Sequence, residues 1–194
     1  ADWLPELLRQ CAHPGGAAIC GAELFYPDET LQHAGVITGL GGYAGHSHKY
    51  KKAGGSGYMF RAATVQDLSA VTGACLLVKT SVWDEMGGLD EAFAVAFNDV
   101  DFCLRVREAG YRIVWTPYAQ LTHYESKSRG GDEKDPVKAA RFAAEQQRLY
   151  TVHGKENILD DPYYNPNLTR DREDFSESDD LRGLKEGRVS VRWR

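Results

Sequence analysis

The chain has 194 residues, 42% hydrophobic and 26% charged, the proportions of an ordinary folded protein rather than of a disordered, collagen-like or disulfide-stapled one. A chain this long buries about 70% of the surface its unfolded form exposes, enough for one domain with a real core. Its formal net charge of −5 gives no global cationic field, which argues against a nucleic-acid platform, and no apolar run approaches the ~18 residues of a membrane span.

Residues 2–10 read as a helix, with Leu4, Leu7 and Leu8 at helical spacing and a Pro14-Gly15-Gly16 breaker after them. The chain opens already inside that helix, as a fragment does. Residues 17–24 read as a buried strand, and the Tyr26-Pro27-Asp28-Glu29 turn should return residues 31–38 beside it as a second strand. Residues 39–57, rich in Gly, Tyr, His and Lys and without a period, read as a long surface loop. A short strand is expected over 74–79, a helix over 81–86 stopped by Gly87-Gly88, and another over 99–109 stopped by Gly110. Short strands at 112–115 and 120–122 and a helix over 136–152 follow, and from Lys155 a dense mixture of both charges reads as an extended, weakly structured tail. Cys11, Cys20, Cys75 and Cys103 form no CxxC pair, so they are read as core thiols in a reducing, cytoplasmic setting.

Three stretches carry candidate chemistry. Between Thr30 and Gln66 there is no Asp or Glu, while His33, His46, His48, Lys49, Lys51, Lys52 and Arg61 all fall there. Cations on a glycine-rich loop suit an anionic ligand, although a solvated basic loop has the same composition. His46 and His48 have the spacing of a metal-binding pair but lack further ligands nearby. In Phe97-Asn98-Asp99-Val100-Asp101, Asn98 suits a helix N-cap and Asp101 would complete a capping box. That leaves Asp99 free to face a cleft as base or ligand. In the segment from Leu121 to Gly130, His123 after a strand can meet a metal, and Ser126, Lys127, Ser128 and Arg129 a phosphate. A lone His is equally a satisfied surface or core residue.

Taken in order, Tyr26-Pro27-Asp28, Gln32-His33-Ala34-Gly35, Thr72-Gly73-Ala74-Cys75-Leu76-Leu77-Val78, Gly87-Gly88-Leu89-Asp90-Glu91, Asn98-Asp99-Val100-Asp101-Phe102-Cys103-Leu104-Arg105, Ala109-Gly110-Tyr111, His123-Tyr124-Glu125-Ser126 and Asp161-Pro162-Tyr163-Tyr164-Asn165-Pro166 resemble the C-terminal half of bacterial family 2 glycosyltransferases of the polysaccharide and O-antigen type. The resemblance implies an α/β fold: the acceptor-side half of a GT-A domain over residues 1–154, a small mixed sheet flanked by helices, with the tail over 155–194. It implies transfer of a sugar from a nucleotide-sugar donor to a growing glycan acceptor, with inversion and a divalent metal, Mg²⁺ or Mn²⁺. Asp99 matches the catalytic base, its usual acidic predecessor being replaced by Asn98, and His123 matches a metal ligand. Gly73 and Ala74 would line the acceptor side and Arg129 would approach the diphosphate. Asn98, Asp101 and His33 complete the candidate substrate-binding set.

The family's N-terminal nucleotide-binding half and its DxD motif have no counterpart in the chain, so an excised half, inactive by itself and able to form a homodimer through its exposed face, is expected. The setting implied is cytoplasmic, at the inner face of the membrane. The alternatives are a non-catalytic module binding carbohydrate or protein through residues 39–57, and a metal-dependent hydrolase using Asp99, Asp101 and His123.

Overall fold

A computed structural model describes residues 2–13, 15–124 and 135–179. The first helix, α1 (Trp3–Ala12), buries Leu7 and Cys11, while Glu6 on the same element accepts a 2.7 Å hydrogen bond from the Thr116 hydroxyl. Next comes β1 (Ile19–Phe25), buried along nearly its whole length, as a central strand packed on both faces must be. Cys20, Ala22 and Leu24 join Leu7 and Cys11 under α1, and Ile19 joins the opposite cluster around Phe102, Trp115 and Val71. Gly21 is required by close packing: a Cβ there would sit 2.6 Å from the Val71 side chain.

The remaining elements are β2 (Leu31–His33), β3 (Val36–Thr38), β4 (Ala44–His46), β5 (Gln66–Asp67), β6 (Leu76–Val78), α2 (Thr80–Met86), α3 (Asn98–Glu108), β7 (Ile113–Thr122), α4 (Pro136–His153) and α5 (Lys155–Leu159). One edge of β1 is shared by antiparallel β6, against Ile19–Gly21, and antiparallel β2, against Leu24 and Phe25. The other edge carries parallel β7, whose outer side pairs with β5. The result is the small mixed sheet flanked by helices expected of the α/β class, with a separate β3–β4 hairpin beside it. The two short strands read at 112–115 and 120–122 are one strand. Its register against β1 jumps from Ala22↔Thr116 to Glu23↔Gln120, so Pro117, Tyr118 and Ala119 form a bulge.

Several expectations are corrected by packing. Residues 31–38 are two strands in different sheets, because Gly35 turns the chain at φ +92° between them. Residues 39–57 are a surface loop only in part. Residues 50–56 are exposed, as expected, but the first half supplies β4, buries Leu40, Ser47 and His48, and stacks His48 on Phe175 with ring centroids 4.3 Å apart. Burial, reinforced by Lys51 and Arg61, lowers the His48 pKa to about 4, and its Nε2 accepts a hydrogen bond from the Tyr58 N–H at 3.0 Å.

The segment after Lys155 is packed rather than extended as far as residue 179. Ile158, Tyr164, Leu168 and Phe175 are buried, the last three against Ile37 and Leu40 of the hairpin region. The Asp161 carboxylate accepts hydrogen bonds from Thr38 N–H, the Ser69 hydroxyl and Tyr163 N–H, each at 2.8 Å. Its mixed charges therefore conceal an apolar face. Cys11, Cys20 and Cys103 are buried free thiols and Cys75 is half-buried, consistent with core thiols. No described helix is long and apolar enough to cross a membrane.

Glu23 is buried on β1 and accepts a 2.7 Å hydrogen bond from Gln120. Burial outweighs that bond and raises its pKa from 4.5 to about 7. A carboxyl that binds its proton more tightly when folded favours the fold at low pH, and that advantage is lost between the unfolded and folded values, here pH 4.5 to about 7. Glu23→Gln is therefore expected to stabilise the chain at pH 8 by about 3 kcal/mol, raising Tm by roughly 6–12 °C, and to change it little at pH 4.5. Thermal unfolding of both proteins at the two pH values checks this; equal Tm values at pH 8 would refute it.

Candidate active site

A cleft of about 730 Å³ opens where the N-terminus of α3 meets the Thr72-Gly73-Ala74 segment, strand β4 and the end of β7. Asn98, Asp99, Gly73, Ala74, His46 and His123 all line it, so the fold gathers most of the residues singled out in the sequence. Asp99 is not idle. Its Oδ2 accepts a 2.7 Å hydrogen bond from Gly73 N–H and its Oδ1 a 2.8 Å bond from Val100 N–H, and each oxygen retains a lone pair for a further donor. A Cβ on Gly73 would lie 3.3 Å from the Asp99 Cβ, so glycine is what lets this backbone come close to the carboxylate.

The capping box expected between Asn98 and Asp101 does not form. The residue before the helix is Phe97, at φ +63° with no side-chain cap, and Asn98 Oδ1 instead accepts from Asp99 N–H at 2.7 Å. A non-glycine residue in the left-handed region is held only where its surroundings overdetermine it. Here the Phe97 ring packs on Tyr43 and Phe142, centroids 5.5 and 5.2 Å away. Val95 and Ala96 N–H both donate to the buried Glu145 of α4 at 3.0 Å. That carboxylate clamps one wall of the cleft. Sequence reasoning missed both Phe97 and Glu145; the backbone groups that Glu145 accepts from lie about 50 positions away, so no local signal marks it.

Asp101 is corrected as a substrate-binding residue. It is 1% exposed and fully used, bonding Arg105 Nε at 2.9 Å and His153 Nε2 at 2.9 Å. Arg105 in turn donates to the carbonyls of Met86 and Gly88, 2.8 Å each, which fixes the end of α2. The hydrolase reading, which needed Asp101 in the site, loses its second carboxylate. His33 is also completely buried and lies behind the cleft wall, bonded to His46 rather than exposed to a ligand. The His46/His48 metal pair does not form, because His48 is committed to Ser47 and Tyr58. Arg129, with Ser126, Lys127 and Ser128, lies outside the described residues.

A family model described as Glycosyl transferase family group 2 matches residues 29–148, which span the cleft from β2 to α4. The chain belongs to this family. It is 48% identical over 178 residues to the Uncharacterized protein y4gI of Sinorhizobium fredii, covering 90% of this chain and 19% of that protein. It is 35% identical over 169 residues to the O-antigen biosynthesis protein RfbC of Myxococcus xanthus, covering 87% of this chain and 13% of that protein. Over 80 residues, 41% of this chain and 24% of the relative, it is 35% identical to the N-acetylglucosaminyl-diphospho-decaprenol L-rhamnosyltransferase of Mycobacterium tuberculosis. The chain thus spans less than a fifth of the first two relatives.

Among the described cleft residues, His123 is the one that the family resemblance matches to a ligand of the divalent cation. His123 Nδ1 lies 2.9 Å from Gln32 Oε1, an acceptor, so Nδ1 carries the proton and Nε2 keeps its lone pair. This is the arrangement by which second-shell groups orient a metal-binding imidazole. No group of three or more His, Cys, Asp or Glu able to hold a metal occurs among the described residues. The residues therefore fit one corner of a site, not a cage.

Proposed function

We propose that this domain is the acceptor-side part of a GT-A glycosyltransferase that moves a sugar from a nucleotide-sugar donor to a growing glycan with inversion, Asp99 acting as general base. The observation that carries the proposal is that Asp99 is the one carboxylate among the described residues lining the cleft, aimed by the Gly73 and Val100 N–H groups. In the step assigned to it, an acceptor hydroxyl donates its proton to Asp99 as its oxygen attacks the anomeric carbon. The bond from that carbon to the nucleoside diphosphate breaks on the opposite face, and the leaving diphosphate takes the electron pair. Half-exposed Trp83 and Leu89, both in the cleft wall, offer an apolar surface on which a sugar ring packs. A bound divalent cation supplies Lewis-acid assistance to the leaving diphosphate; His123 is the residue of this chain assigned to it, and Arg129 is assigned to the diphosphate. The names of the Myxococcus and Mycobacterium relatives, an O-antigen biosynthesis protein and an L-rhamnosyltransferase, support an O-antigen or related polysaccharide as the glycan.

The test is sugar transfer by a longer protein carrying this domain, with Asp99→Asn compared to the parent; near-normal turnover in the variant would refute the assignment. A second substitution probes the aim of the carboxylate. Gly73→Ala is expected to shift Asp99 and lower kcat roughly tenfold to a hundredfold while leaving donor binding and Tm nearly unchanged. Unchanged kcat would mean that the Gly73 contact does not position the base.

A further inference from the structure

The wall of the cleft that runs into α3 is backed by α4. Phe142, Glu145 and Arg148 follow one another at three-residue spacing and so share a side of that helix. Each takes a different point of the chain between Gly88 and Asn98. The Arg148 guanidinium pairs with Asp90 at 2.6 Å and lies over the Phe93 ring, 5.4 Å from its centroid. Phe142 packs on Phe97, centroids 5.2 Å apart. Between them Glu145, 4% exposed, accepts Val95 N–H on Oε1 and Ala96 N–H on Oε2, 3.0 Å each, with Arg141 Nε 3.9 Å from Oε2.

Two adjacent backbone donors aimed at one group need two acceptor atoms. A carboxylate supplies both, whereas an amide supplies one and sets its own N–H against the other donor. The two bonds fix the residues directly before Phe97, which stands at φ +63°. A residue with a Cβ leaves that region unless its neighbours hold it. Phe97 sets the direction in which α3 starts: its carbonyl accepts the Asp101 N–H at 2.8 Å, and Asp99 is two residues on. The Asp99 carboxylate is thus the far end of a chain of contacts that runs from Glu145 through Val95, Ala96 and Phe97 to the first turn of α3. It meets Gly73 N–H at 2.7 Å only while that turn keeps its direction.

We propose that Glu145 is a positioning residue: from α4 it holds the turn before α3 and so keeps the Asp99 carboxylate aimed at Gly73 and the cleft. Glu145 does not itself line the cleft and acts only through Asp99. The role in transfer rests on the glycosyltransferase reading, whereas the hold on Asp99 is a property of the fold alone.

Two measurements test it. Backbone ¹H–¹⁵N spectra of the 194-residue chain report the Asp99 bonds through the Gly73 and Val100 amides that make them. Glu145→Gln is expected to move both signals upfield, toward a weaker hydrogen bond, although neither amide bonds Glu145. Leu149→Val, a change in the buried packing of the same helix, should leave them in place. In a longer protein that carries this domain, Glu145→Ala is expected to lower kcat for sugar transfer roughly tenfold to a hundredfold, the cost of a misplacement of about 1 Å, with KM for donor and acceptor within about threefold of the parent. Glu145→Gln, which keeps the shape and one of the two acceptors, should recover part of kcat. If Glu145→Ala does not fold, the isosteric Gln variant carries both measurements. Unmoved Gly73 and Val100 signals in Glu145→Gln, unchanged kcat, a rise in KM in place of the fall in kcat, or the same fall in Leu149→Val would each overturn the proposal. The outcomes separate from those of Asp99 as base. Moved amide signals with an active Asp99→Asn leave the hold on Asp99 and remove the base, whereas unmoved signals with an inactive Asp99→Asn do the reverse.

Discussion

Asp99→Asn in a longer protein that carries this domain is expected to lower kcat for sugar transfer by roughly 10²–10⁴-fold, the range by which a positioned general base accelerates proton removal. The amide is isosteric and keeps one acceptor oxygen, so one of the two backbone bonds, from Gly73 or from Val100, survives. The fold should therefore lose about 1 kcal/mol at most, and donor affinity should stay within about threefold of the parent. The comparison that decides is kcat against donor affinity. A fall in both by the same factor would assign Asp99 to donor binding, and unchanged kcat would remove it from the chemistry.

The largest effect on stability is expected at Asp101. Its carboxylate is buried and bonds both Arg105 and His153, and His153 is held by Glu108 on its other nitrogen at 3.1 Å. Burial alone would lower the His153 pKa, but the bonds to the two carboxylates outweigh it and raise the value above 6.5. A raised histidine pKa contributes stability that is fully present below pH 6.5 and is lost as pH rises through the folded value. Asp101→Ala strands a buried cation and should cost about 3–5 kcal/mol, with a shallower dependence of stability on pH above 6.5 than the parent shows. Urea unfolding at pH 6 and pH 8 measures both. A loss under about 1 kcal/mol would mean that Asp101 is not the tie between α3 and α4.

Elements with a local signature were legible in the sequence. The apolar spacing of Leu4, Leu7 and Leu8 and the Gly87-Gly88 and Gly110 stops each depend on residues a few positions apart. The segment after Lys155 departs from the tail reading because its charges dominate a composition count, while the four residues that pack, Ile158, Tyr164, Leu168 and Phe175, are widely spaced among polar residues, Pro162 and Pro166. The first half of residues 39–57 departs from the loop reading for a related reason. Glycine and histidine look solvated in a composition, yet His48 has both ring nitrogens satisfied by its neighbours.

The sequence by itself determined the family, the α/β class, most of the helices and the identity of Asp99 and His123 as cleft residues, because ordered motifs and local periodicity need no partner from afar. Only the tertiary structure decided what the polar side chains do. The Asp101–His153 bond spans 52 positions, the Glu145 clamp on Val95 spans 50, and the tie from Thr38 to Asp161 spans 123. A carboxylate reads alike in the sequence whether it caps a helix, pairs in the core or faces a ligand. Burial separates these roles: it forces Asp101 and Glu145 to be satisfied inside the fold and leaves Asp99 at the cleft with lone pairs to use.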